Sequence, residues 1–271
     1  MVLGVDIGGT KIATGLVNER AEVSRSRSVP TLANQGYEVS IRQIWAAIEE
    51  SITGDVKAIG ICAPGPLNPK TGVVLNPPNL PGWRNVELQK MAQARFGLRV
   101  RVENDCNAAG LAEARFGAAK GCGSVFYAAI GTGIGSGIIL DGKIYHGKNG
   151  AAAEGGHVSI DYRSATVCRC GSRGCIEALA SGHVLDKGAY DLNEIALQLG
   201  AWLGSVVSLL DPDIIVIGGG VAGIGEPLFE KLRAILPSRT VNPHASELPI
   251  VPAKFGAEAG VVGAAAVVMG G

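Results

Sequence analysis

The sequence predicts an α/β protein built by duplication, with two α/β domains facing each other across a cleft. Three observations lead there. The 271 residues carry 47% apolar side chains, only 5% aromatics and 40 glycines, the composition of a glycine-turned fold with small core residues. A strand–glycine turn–strand pattern, "MVLGVDI", "GGTK", "IATGLVN", returns as "VFYAAIGTGIGSGIILDGK". Ile7-Gly8 then aligns with Ile130-Gly131, 123 residues on, and "LVNER" with "ILDGK". Predicted helices alternate with buried strands through both halves.

The opening hairpin closes at the turn "NER". In "YEVSIRQIWAAIEESITG", Val39, Ile41, Ile44, Trp45, Ile48 and Ile52 recur at near-helical spacing, and "VKAIGICAPG" follows as a buried strand ending in a Pro-Gly turn. "VELQKMAQARFG" predicts a helix with glycine just past its end, "LRVRVEN" a strand, and "CNAAGLAEARFGA" a helix. The second half continues with a long helix in "YDLNEIALQLGAWLGSVVSLLD", a buried strand in "PDIIVIGGG" and a helix in "EPLFEKLRAILPS". It ends in "AEAGVVGAAAVVM", a small-residue helix able to pack closely on a sheet.

Lys plus Arg and Asp plus Glu balance at 24 each, so no overall field draws the chain to nucleic acid or to an anionic membrane. "MVLGVDIGG" meets Asp6 before a signal-peptide core could form. The apolar runs "VVSLLDPDIIVIGGGV" and "GVVGAAAVVMGG" fall short of the roughly 20 residues a span needs. A cytosolic protein with no membrane partner is the expectation. Its reducing surroundings disfavour disulfides among the six cysteines, which leaves a metal or a catalytic thiol for Cys168, Cys170 and Cys175.

"DIGGTK" places two glycines where a turn can bring backbone N–H groups against an anion, with Thr10 and Lys11 following. It is neither a Walker A loop nor a dinucleotide fingerprint, because a strand follows. An ordinary hairpin turn reads the same, but the second hairpin at "GTGIGSG", with Thr132, favours a phosphate clamp made from both halves. "IVIGGGVA" ends a buried strand, where α/β sheets put their ligands. In "VENDCNAAGLAEA", Asp105 stands at a strand end and a helix start, and it suits either a helix cap or a general base accepting a hydroxyl proton.

"DIGGTK", "APGPLNPKTGVVLNPPNLPGW", "VENDCNAAGLAEARFG", "AIGTGIGSGIILDGKIYHGKNGAAAEGGH", "CRCGSRGCIEALASG" and "DPDIIVIGGG" stand in the order found in the ROK family of sugar kinases and sugar-responsive repressors. The chain resembles that family from about Leu3 to Ala266, most of all its bacterial glucokinases. The resemblance implies the actin/hexokinase-like (ribonuclease H-like) fold. A small N-terminal domain would span 1–105, joined by the C-terminal helix at about 257–271, and a larger domain with a zinc loop would span 106–256. It implies transfer of the ATP γ-phosphoryl group to the 6-hydroxyl of a hexose, glucose first. N-acetylmannosamine, N-acetylglucosamine, fructose or allose are the alternatives, and polyphosphate is an alternative donor.

Carried over residue by residue, Asp105 is the catalytic base. Gly65, Asn79, Asn104, Glu154, His157 and Glu177 hold the sugar. Asp6 helps place the Mg²⁺ of the nucleotide; Gly8, Gly9, Thr10, Lys11, Thr132 and Gly133 form the phosphate loops; Gly219 and Gly220 lie at the adenosine. The resemblance makes His157, Cys168, Cys170 and Cys175 a structural zinc site, consistent with three thiolates and one imidazole closing a tetrahedral shell. Such a metal would fix the loop presenting His157 and Glu177, with His157 facing metal on one side and sugar on the other. Cys62, Cys106 and Cys122 are expected to be buried, inert thiols.

The stretch "SGHVLDKGAYDLNEIA" is compact for the family. The family's repressors carry a helix-turn-helix ahead of the phosphate hairpin, which begins here at Asp6, so no nucleic-acid partner is expected. Dimers are frequent in the family, which makes a homodimer the expected assembly, although no feature of the sequence itself fixes it. A sugar sensor without catalysis is the reading of a different class.

Overall fold

Strands β1 (Val2–Ile7), β2 (Lys11–Val17) and β3 (Val23–Pro30) form an antiparallel meander. Helix α1 (Tyr37–Ser51) then returns the chain to β4 (Ala58–Ala63), parallel to β1. A small hairpin of β5 (Leu67–Asn68) and β6 (Val73–Val74) and helix α2 (Leu88–Phe96) lead to β7 (Arg99–Asn104), parallel to β4. The first sheet is ordered β3-β2-β1-β4-β7. Helix α3 (Asp105–Phe116) crosses to the second half, where β8 (Ser124–Ile130), β9 (Ile134–Leu140) and β10 (Lys143–Ile144) form another meander. The short helices α4 (Ile176–Ala180) and α5 (Gly182–Leu185) precede α6 (Leu192–Leu210) and β11 (Ile214–Gly218). Then come α7 (Glu226–Ile235), β12 (Ile250–Pro252) and the final helix α8 (Ala259–Met269). This computed structural model describes residues 1–185 and 191–269. Tyr190, which opens the long helix expected from sequence, and the glycines at 270–271 lie outside them, as does 186–190 of the compact stretch.

The second sheet, β10-β9-β8-β11-β12, repeats the first strand for strand: antiparallel meander on one side, two parallel strands on the other. The duplication is therefore real in topology. Its residue equivalence needs one correction. Ile7 pairs with Ile12 across a four-residue turn, whereas Ile130 pairs with Ile134 across three residues. Val2 and Val125 are equivalent, and they pair with Val17 and Ile139. The return strands thus match one residue out of step with the alignment of Leu16 to Ile139, because the second turn is one residue shorter.

Strands β4 and β11 are buried along their whole length, as suits inner parallel strands covered on both faces. The sequence pattern missed β3, β10, β12 and the β5–β6 hairpin. β3 reads "VSRSRSVP", an almost wholly exposed edge strand without an apolar face, and β12 is three residues ending in proline. Helix α8 lies on β1, β4 and β7 and against α3. Its alanines permit that approach, and so does the sheet: a methyl group at Gly60 would overlap the Ala264 carbonyl. The C-terminal helix thus returns to the first sheet.

Helix α6 is the one described helix long and apolar enough to cross a membrane by length and composition. Half of that stretch is buried within the fold, packed on α4 and α7, with Trp202 edge-on to Phe126.

Candidate active site

A cavity of about 990 Å³ opens between the two sheets, lined from both halves of the chain. Its floor is the junction of β7 and α3. Asn104 caps α3: its side-chain oxygen accepts from the Cys106 and Asn107 backbone N–H groups at 3.0 and 3.2 Å. The cap role that the sequence left open for Asp105 therefore belongs to its neighbour. Asp105, the first helical residue, is half-buried and faces the cavity, where its carboxylate accepts from Cys106 N–H at 2.8 Å. Desolvation raises its pKa above the ordinary carboxylate value, partly opposed by hydrogen bonds from Cys106 and Asn104.

The sheet ends bring Asp6 beside Asp105. Burial, then the Asp105 charge, push Asp6 up to about 6 against the pull of Lys11. The result is a pair of carboxylates short of counter-charge, an arrangement that a hard dication would relieve. Cys106 also lines the cavity, and burial and the Asp105 charge hold its thiol well above its ordinary pKa, which favours the protonated form. Cys62 is buried as expected, while Cys106 and Cys122 are only half-buried.

Gly65, Asn79, Glu154, His157 and Glu177 join Asn104 and Asp105 in the cavity wall, so all the residues expected to hold a sugar are together. Of the phosphate and nucleotide residues, Thr132, Gly133 and Gly219 line it. Asp6, Gly8, Gly9, Thr10, Lys11 and Gly220 do not; the first turn lies outside the cavity wall, with Thr10 and Lys11 exposed. The first turn is fixed by Thr31, which donates through its hydroxyl to the Gly8 carbonyl at 2.6 Å and through its N–H to Thr10 at 3.0 Å. The second is held by Glu177, whose Oε2 accepts from Ile134 N–H at 2.9 Å. A side chain at Gly133 would run into that carboxylate. The sequence offered no sign that Glu177 reaches the second glycine turn.

Ahead of α4 the chain is irregular, tied by bridges between Ser159 and Cys175 and between Val167 and Arg173. The Cys168–Ser172 turn closes with a 2.8 Å backbone bond from Cys168 N–H. One donor atom each from His157, Cys168, Cys170 and Cys175 falls within 4.8 Å of the others. Nδ1 of His157 is 3.6 Å from the Cys168 sulfur, and the Cys170 and Cys175 sulfurs are 3.7 Å apart. Zinc–sulfur bonds of about 2.3 Å set tetrahedral edges of roughly 3.8 Å, so the four groups fit such an ion with no position left open. Val158, Tyr162 and Val167 point to solvent, and the segment has little apolar core of its own. The Ser172 N–H beside Cys170 lowers that thiol's pKa, whereas burial raises that of Cys175, and a cation would supply what three thiolates need. His157 turns Nδ1 to the sulfurs and is also among the residues that line the cavity.

The cavity also takes in Glu103, Asn107 and His183, which the sequence reading did not single out.

The ROK family's sequence profile matches residues 2–192 and 186–270. A glucokinase of Streptomyces coelicolor is 33% identical over 98% of this chain and 96% of its own. A putative xylose repressor of a Caldicellulosiruptor species is 29% identical over 99% of this chain and 78% of its own. Among solved structures, a ROK family glucokinase from Streptomyces griseus in complex with glucose and AMPPNP superposes with a TM-score of 0.84. It is 34% identical and covers 100% of this chain and 99% of its own. With matched motifs along nearly the whole chain and the same duplicated α/β fold, the chain belongs to the ROK family.

Proposed function

We propose that the protein is a kinase transferring the γ-phosphoryl group of MgATP to the 6-hydroxyl of a hexose, with glucose as the preferred acceptor and Asp105 as the general base. The observation that carries this is the division of labour at the start of α3: Asn104 caps the helix, and Asp105 faces the cavity with its pKa raised. A base poised in that way takes the hydroxyl proton as the oxygen attacks phosphorus. Asn104, whose carbonyl oxygen is committed to the cap and whose NH₂ group also donates to the Asp105 carboxylate, keeps a second N–H to donate to a sugar oxygen. Glu154 and Glu177 accept from sugar hydroxyls, and such acceptors discriminate strongly against analogues that lack them. Gly8 and Gly131 spend their N–H groups inside their own turns, which leaves the N–H groups of Gly9 and Thr10 and of Thr132 and Gly133 to meet the phosphates.

Asp6 would hold Mg²⁺, which neutralises charge on the transferring group. His157, Cys168, Cys170 and Cys175 would hold zinc as a closed structural shell, whose chemistry is to order the 157–177 loop. This reading places the protein in the cytoplasm, acting on two small molecules across a cleft between an N-terminal and a C-terminal domain, as a homodimer. The test is a coupled ADP-release assay over glucose, N-acetylmannosamine, N-acetylglucosamine, fructose and allose, with Asp105→Ala as control. Glucose-dependent turnover that the variant loses supports the reading. Turnover with an acetamido sugar alone overturns the acceptor, and sugar binding without turnover makes the protein a sensor.

A further inference from the structure

Glu103, one residue before the helix cap, is a carboxylate with 3% of its surface exposed. Such burial is tolerated only with full hydrogen bonding. Its Oε1 accepts from the backbone N–H of Asn104 at 2.9 Å and from Nδ2 of Asn107 at 3.2 Å. Its Oε2 lies 2.7 Å from Nε2 of His146, the ring N–H donating because a carboxylate can only accept. These partners come from three places: the end of β7, the first turn of α3, and the loop that follows β10 in the other half of the chain.

That loop shares the cavity wall with Asp105. His146 stands at one foot, and its carbonyl accepts from Ala152 N–H at 3.1 Å, closing 146–152 on itself. At the other foot the Ser136 hydroxyl donates to the Ala153 carbonyl at 2.6 Å and accepts from Gly155 N–H at 3.1 Å. Residues 149–154 between them line the cavity and end in Glu154. Pro69 of the first half packs against Gly150, where a side chain would meet it at 2.6 Å. One buried carboxylate thus ties the strand that presents Asp105 to the loop that presents Glu154.

We propose that Glu103 is a positioning residue, with His146 as its relay. It sets the register between the base and the sugar-side loop, and so determines hexose affinity and alignment through the groups it holds at the edge of the cavity it helps line. The proposal rests on the hexose-kinase reading above. Misplacing a bound hydroxyl by about 1 Å costs up to about a hundredfold in rate.

The experiment is a double-mutant cycle with Glu103→Gln, His146→Ala and the pair, measured as hexose KM, kcat and MgATP KM, and as hexose Kd by calorimetry. His146 is the safer position to vary, since its side chain keeps 30% exposure. We expect His146→Ala to raise hexose KM and Kd at least about tenfold while MgATP KM stays within about twofold. We expect the double variant to be no worse than the more damaging single one, since both break the same tie. Unchanged hexose KM in both folded single variants, strictly additive effects, or equal losses for both substrates would overturn it. If the wild type binds a hexose without phosphorylating it, the kinase reading fails while the Kd cycle still decides this proposal. A wild type that binds no hexose ends both.

Discussion

Replacing Asp105 with Asn removes the carboxylate proposed as the base and should leave the architecture in place. The Asn carbonyl oxygen can still accept from Cys106 N–H, now 2.8 Å from the carboxylate, and the helix cap belongs to Asn104. The loss should therefore fall on chemistry. General-base catalysis contributes about 10² to 10⁴-fold, and in the proposed mechanism the Asp105 carboxylate also orients the attacking hydroxyl, so kcat should drop about 10³-fold, or about 4 kcal/mol. Hexose KM should change by less than about tenfold, since Asn104, Glu154, His157 and Glu177 remain. A second signature is electrostatic. The Asp105 charge is the second cause, after burial, that lifts Asp6 to about 6, so Asp6 should titrate lower in the variant. Steady-state kinetics with a coupled ADP assay measure the first effect, and carboxyl-carbon NMR titration the second. A variant that keeps kcat within about tenfold of wild type would refute Asp105 as the base, and an unmoved Asp6 would refute the electrostatic link.

The remaining predictions follow from the same geometry. Activity should fall on the acid side at a pH above the ordinary carboxylate value of 3.8: the raised pKa of Asp105 keeps it protonated, and hence inactive, to a higher pH, and a kcat/KM profile whose acid limb lies at or below 3.8 would contradict this. Cys170→Ser, or chelation, should release about one zinc per chain by elemental analysis and lower the thermal midpoint, because the 157–175 segment has few buried apolar side chains. A variant or chelated protein with unchanged zinc content or melting would count against the shell. Glu177→Ala should raise the KM of MgATP as well as that of the hexose, by roughly tenfold each, since one charged hydrogen bond to Ile134 N–H holds the second glycine turn. Glu154→Ala, without such a contact, should raise only the hexose KM. Gly60→Ala should destabilise the fold by several kcal/mol in denaturant titrations, since the new methyl has nowhere to go but into α8.

The duplicated hairpins were legible because both halves keep apolar strands around glycine turns, and the register slip of one residue was not, because turn length depends on backbone pairing. The cavity residues named from motifs lie at strand ends and helix starts, as Asn104, Asp105 and Glu177 do, or in the turns that follow strands, as Gly65 and Thr132 do. Glu103 escaped notice for a physical reason. Along "RVRVEN" the exposed positions are Arg99 and Arg101, so alternation places Glu103 on the outer face. It is buried because a loop some forty residues later folds over the strand end. The partner of Asn104 and the contact of Glu177 with Ile134 were hidden likewise, being choices among nearby acceptors that only three-dimensional packing makes.

The most direct test of the account is the identity of the product. Wild-type protein with glucose and MgATP, followed by phosphorus and carbon NMR, should yield ADP and glucose phosphorylated at the 6-oxygen in equal amounts, and Asp105→Asn should yield neither at a comparable rate. Phosphate on another oxygen, or no glucose-dependent ADP at all, would contradict it.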